Sequence, residues 1–159
     1  MKKDLAGFWP LHKILINIKR LSKRIKKNEG FSSKPYYDQL GNLTVGYGHL
    51  VLKKDKIIEN KIYSKKRLNE MFKKDLNEAI ENFNKIFSKN KMPPNVSEAL
   101  IEMIFQLGLK NFLKFKKMKK AINESDFLKA SKEMLKSKWY KQTPKRVKGL
   151  IKTMEIKID

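Results

Sequence analysis

Between residues 36 and 49 the chain changes its hydrophobic period, and this change constrains the fold more than any other feature. In YYDQLGNLTVGYGH, Leu43, Val45 and Tyr47 alternate with Thr44, Gly46 and Gly48, the two-residue period of a strand. Gly41-Asn42 supplies turn chemistry between two short strands, so the segment predicts a small β-hairpin or a three-stranded meander. On either side the period is helical. Leu11, Ile14, Leu15, Ile18, Leu21 and Ile25 recur at helical spacing over residues 11–27. From Ser64, a candidate N-cap, a long helix carries Leu68, Phe72, Leu76, Ile80, Phe83 and Phe87 on one face. Pro93-Pro94 breaks the chain, and Ser97 is the predicted cap of a helix apolar almost all round, closed by Gly108. Residues 112–122 and 125–135 read as two further helices, and Thr143-Pro144 starts a last one. One small sheet followed by a helical lobe is an α+β arrangement.

Composition narrows the chemistry. The 159 residues contain no cysteine, which excludes disulfide scaffolds, thiolate zinc sites and cysteine nucleophiles. With only His12 and His49, a histidine-rich metal site is not expected. No apolar run is long enough to predict a transmembrane helix, and the N-terminal apolar patch has neither a clean core nor a small-residue cleavage site, so no cleaved signal is expected.

Lys and Arg total 38 against 16 acids, a net charge of +22, which favours polyanionic partners. Only Arg20, Arg24, Arg67 and Arg146 are arginines. That lysine skew reads equally as codon drift in an AT-rich genome, and it lacks the arginine forks of specific nucleic-acid readers. Residues 1–27 carry nine basic side chains and one acid, so the 11–27 helix could dock its stripe on a core or lie on an anionic membrane.

Few nucleophiles remain, so the acids carry the argument. Glu59, Glu70, Glu78, Glu81 and Glu124 sit on lysine-rich faces and read as solvated. Glu29 differs: it stands where a helical pattern ends, directly before Gly30. Asp38 follows nine residues later beside the first strand, and Thr44 six after that on the returning strand. Glycoside hydrolysis needs such a set: a protonated carboxyl for the leaving oxygen, an ionised carboxylate for water or the oxocarbenium-like state, and a hydroxyl to hold water. The spacing alone occurs by chance in many proteins and does not single out this chemistry.

Three ordered blocks add to it. The first is Glu29-Gly30, Tyr36-Tyr37-Asp38 and Gly41 through Leu50, with Thr-x-Gly-x-Gly-His inside it. The second is Ile104-Phe105-Gln106-Leu107-Gly108 with Phe115 seven residues on, and the third is Ser137 through Arg146. Together they resemble the T-even phage lysozymes, glycoside hydrolase family 24, from about Leu21 to Met154. The resemblance implies a lysozyme-like fold with a small sheet lobe at about 30–63, a helical lobe at about 64–159 joined by the helix before Glu29, a cleft between them, and residues 1–18 as an amphipathic cationic extension. It implies an inverting hydrolase of the β-1,4 bond between N-acetylmuramic acid and N-acetylglucosamine, with no metal or cofactor. Glu29 would be the general acid, Asp38 the base or electrostatic partner, and Thr44 the residue that positions water. Leu50, Phe105, Gln106, Met118 and Glu133 would line the saccharide site. Arg146 matches the arginine that approaches the catalytic glutamate, and His49 and Asp75 match a structural pair.

The chain departs from the family pattern in places. Met118 and Glu133 stand where the family has serine and asparagine, and fewer residues separate His49 from Phe105 than in the best-known member. The resemblance implies bacterial peptidoglycan as partner, no specific nucleic acid, a monomer, and an endolysin held in the host cytoplasm until release onto the cell wall. Two rival readings use the charge instead: a non-enzymatic cationic module that binds envelope polyanions or nucleic acid, and an enzyme whose 11–27 helix also permeabilises an outer membrane.

Overall fold

A computed structural model describes residues 16–88 and 91–155, so most of the 1–18 extension and the start of the 11–27 stripe lie outside the described residues. Helix α1 spans Ile18–Glu29, followed by strands β1 (Ser32–Tyr37), β2 (Leu43–Gly46) and β3 (His49–Leu50). A single 3-10 turn, Lys53–Asp55, precedes α2 (Lys65–Ile86). The remaining helices are α3 (Pro94–Leu107), α4 (Leu109–Phe112), α5 (Lys116–Asn123), α6 (Phe127–Leu135), α7 (Lys138–Gln142) and α8 (Pro144–Glu155). The chain is α+β, and it divides into two compact units: Ser22–Glu78, and the described residues up to Leu21 with those from Ala79 onward.

The Ser22–Glu78 unit contains the sheet, antiparallel in the order β1-β2-β3. Tyr36 pairs with Thr44 and Tyr37 with Leu43; on the other edge Thr44 pairs with Leu50 and Val45 with His49. Gly41, at φ +80°, donates its N–H to Asp38 O at 3.0 Å and closes the β1–β2 turn. Val45, Tyr63 and Leu68 are buried together, with Val51, Ile57 and Met71 packed against them. Ile25 of α1 is fully buried too. One turn on from Ser22, Lys26 places Nζ 4.8 Å from the Tyr47 ring centre and 5.0 Å from that of Phe72, and donates to Asn69 Oδ1 at 3.1 Å. Burial, then Lys65 and Lys73, push its pKa down.

The second unit is built on α3, in which every residue from Asn95 to Ile104 is buried. That burial encloses two glutamates. Glu98 Oε1 accepts from Arg20 Nη2 at 2.7 Å and from Asn17 N at 2.9 Å, and its Oε2 accepts from Arg20 Nε at 3.1 Å. Glu102 faces Arg146, Nη2 to Oε1 3.8 Å. Asn95 Nδ2 donates to the Thr153 and Met154 carbonyls of α8.

Several local expectations change. Of the helix expected over 11–27, residues 11–15 lie outside the described residues; Ile16 and Asn17 are not helical and α1 runs from Ile18. Ser97 is not a cap: α3 begins at Pro94, with Pro93 in the cap position, because proline at the first helical residue lacks only an N–H that would go unpaired anyway. The helix expected over 112–122 is α4 and α5, with Leu113–Phe115 between them, and α6 is capped by Asp126, whose side chain accepts from Lys129 N. Helix α7 was not anticipated; its cap, Ser137, accepts from Tyr140 N at 3.1 Å.

Candidate active site

Glu29 is the last residue of α1, where Gly30 at φ +72° ends the helix with its N–H on Lys26 O. The Glu29 carboxylate lies against Gly48. A Cβ at position 48 would stand 2.6 Å from Glu29 Oε2 and push that carboxylate aside, and the backbone, at φ +73°, favours glycine there.

Asp38 follows β1 and folds over the turn. Its Oδ1 accepts from Leu40 N and Asn42 N, both at 2.8 Å, and Asn42 Nδ2 stands 3.4 Å from Oδ2. These donors, the Asn42 N–H foremost, hold the carboxyl below the usual aspartate range, so it is ionised at neutral pH. Thr44 is buried, and its hydroxyl donates to Asn42 O at 3.0 Å. With its proton so used, Oγ1 keeps its acceptor sites.

Direct partners in an antiparallel ladder share a face. Tyr36, Thr44 and Leu50 therefore form one row across the three strands, with Tyr36 and Leu50 exposed. Burial raises the Tyr36 phenol, and the fields of Glu29 and Asp38 raise it further. Tyr36 and Gly48 stand in the first sequence block, but the sequence assigned neither a role of its own in the site. The strand register and the positive φ that mark them are visible only once the meander is built.

His49 is held from both sides. Nδ1 lies 2.6 Å from Asp75 Oδ2 on α2, and Nε2 lies 2.8 Å from Asp55 Oδ2. Burial alone would lower the imidazole pKa, but the two carboxylates outweigh it and raise it. Burial pushes the Asp55 carboxyl up, but hydrogen bonds from His49 and the Leu52 N–H bring it below its ordinary value. Asp55 had no sequence signal, since it sits on an isolated turn six residues past His49.

The other sequence candidates belong to the helical unit. Phe105 and Gln106 stand half-buried on the last turn of α3, and Arg146 on α8 faces Glu102. Met118 and Glu133 meet at one cavity of about 700 Å³, with Phe115 and Trp139 in its wall, ring centres 6.0 Å apart. Met118 is buried, and Glu133 Oε1 accepts from Lys136 Nζ at 3.1 Å.

Two carboxylates and a hydroxyl gathered in one sheet-bearing unit are the equipment of an acid–base hydrolase. The comparisons with known proteins agree. The family model "Phage lysozyme" matches residues 26–155. "Probable T4-type lysozyme 2" of Dictyostelium discoideum is 35% identical, over 87% of this chain and 95% of its own. "SAR-endolysin" of Bacteriophage PS119 is 32% identical over 82% of this chain and 74% of its own. "Pre-baseplate central spike protein Gp5" of Enterobacteria phage T4 is 31% identical over 79% of this chain but only 26% of the spike protein. The chain belongs to the phage lysozyme family.

Proposed function

We propose that this chain cleaves the β-1,4 bond between N-acetylmuramic acid and N-acetylglucosamine by inversion, with Glu29, Asp38 and Thr44 as the reacting side chains. The coarser statement, a lysozyme that hydrolyses peptidoglycan, follows from the family. The finer one is supported above all by the unequal settings of the two acids. Asp38 is fixed as an anion by backbone N–H groups, whereas Glu29 lies packed over Gly48.

Glu29 gives its proton to the leaving glycosidic oxygen as the C1–O bond breaks. A water hydrogen-bonded to Thr44 Oγ1 attacks from the opposite face. Asp38 takes the water's proton, or stabilises the charge at C1 while that proton passes to bulk water, and its lowered pKa suits the second task at least as well as the first. Leu50, Phe105, Gln106, Met118 and Glu133 serve the saccharide, Arg146 supports Glu29, and the His49–Asp75 pair is structural. Residues 19–159 form the lysozyme domain and 1–18 an extension; within 11–27, Leu21 and Ile25 are docked in the core, and exposed Lys19, Lys23 and Lys27 are the side chains that meet an anionic membrane. The enzyme is a monomer that waits in the host cytoplasm and lyses the cell after release onto the wall, where its +22 charge speeds approach to anionic polymers.

The test is Glu29→Gln on purified peptidoglycan, with mass analysis of the fragments released by the wild type. A fall of about 10²–10⁴-fold is expected on loss of a general acid. Near-normal clearing by the variant, or wild-type fragments lacking a new N-acetylmuramic acid reducing end, would refute the assignment.

A further inference from the structure

We propose that Tyr36 is a saccharide-binding residue of this hydrolase, its hydroxyl donating a hydrogen bond to the sugar held beside Glu29 and Asp38. The inference rests on the reading of those two acids as the reacting pair.

The neighbouring tyrosines of β1 fall on opposite faces of the strand and meet different fates. The Tyr37 hydroxyl is taken up by Glu59. The Tyr36 hydroxyl has no hydrogen-bond partner among the described residues, although 41% of the residue is exposed. Its position is fixed by register, in the row with Thr44 and Leu50 and two residues before Asp38. Sugars offer hydroxyl and acetamido oxygens, and an ionised carboxylate can only accept. The carboxylate can take up the protons of sugar hydroxyls, but an acetamido carbonyl only accepts and must be met by a donor on the same face. Tyr36 meets that need, and burial together with the two carboxylates keeps its proton in place at working pH. The ring gives a rigid apolar surface for the sugar's C–H groups.

The experiment compares Tyr36→Phe, Tyr36→Leu and, as control, Tyr37→Phe. Hydrolysis of solubilised glycan strands is followed by new reducing ends. Affinity for the same strands is measured by calorimetry in the Glu29→Gln background. Tyr36→Phe should lower kcat/KM by about 3- to 10-fold, mainly through KM, the worth of one neutral hydrogen bond. Affinity should fall by the same factor with the thermal midpoint unchanged, and Tyr36→Leu should lose more than Tyr36→Phe. Wild-type affinity and kcat/KM in Tyr36→Phe would overturn the inference, as would a loss explained by a lower thermal midpoint. If the wild type binds strands but releases no new ends, the hydrolase reading fails and the affinity comparison alone decides on Tyr36. A chain that neither binds nor cleaves overturns both.

Discussion

The two compact units use their acids in opposite ways. In Ser22–Glu78, Asp38 is held by N–H groups two and four residues away, and it remains partly open to solvent. In the helical unit, Glu98 and Glu102 are wholly buried and meet arginines distant in sequence. Local backbone donors orient a charge while leaving it accessible to a ligand. A buried long-range pair removes the charge from solvent and ties chain segments together. Under the proposed roles, carboxylates serve chemistry in one unit and architecture in the other.

Variants can break or sharpen this contrast. The largest expected effect is in the helical unit. Arg20→Ala strands the wholly buried Glu98 carboxylate without its guanidinium and should cost about 3–5 kcal/mol of stability, measured by denaturant unfolding, with little change in activity per folded molecule. Gly48→Ala should do the reverse. Its Cβ must displace the Glu29 carboxylate, so activity should fall about 10²-fold, as for a catalytic group misplaced by an ångström, while the thermal midpoint moves only a few degrees.

His49 cuts across the division, being in the sheet unit yet serving stability. His49→Asn should cost about 2 kcal/mol near pH 5.5. The raised imidazole pKa means that its contribution is complete below its ordinary 6.5 and fades as pH climbs through the higher folded value. The lowered Asp55 pKa means that its contribution is complete above 3.8 and fades as pH falls through the lower folded value. Unfolding free energy should therefore plateau from about pH 4 to 6.5, with an alkaline decline that His49→Asn flattens. The smallest effect is Ser137→Ala, which removes the cap of α7 and should cost about 1 kcal/mol in thermal unfolding.

The legible parts of the molecule were those written in short-range pattern. The meander announced itself through Leu43, Val45 and Tyr47, and α2 through its cap at Ser64, whose Oγ accepts from Arg67 N. Ser97 misled because a good capping residue three places after a proline competes with the proline's own preference, and the proline won. Helix α7, five residues long, is too short to show a period. In the candidate site, Glu29, Asp38 and Thr44 were readable from spacing joined to the family pattern. Tyr36, Gly48 and Asp55 depend on which atoms meet after folding, which spacing does not encode.

The scarcity of arginine carries a last consequence. Arg20 grips Glu98 with two nitrogens, Arg146 faces Glu102, and Arg67 donates to the Asp55 carbonyl while lying over the Tyr63 ring. Arg20, Arg67 and Arg146 are thus anchors within the fold, whereas the 34 lysines supply most of the positive field. Solvent-facing ammonium groups can be exchanged for neutral or acidic ones to retune how the enzyme approaches a charged wall, and the scaffold that presents its reactive face would stay as it is.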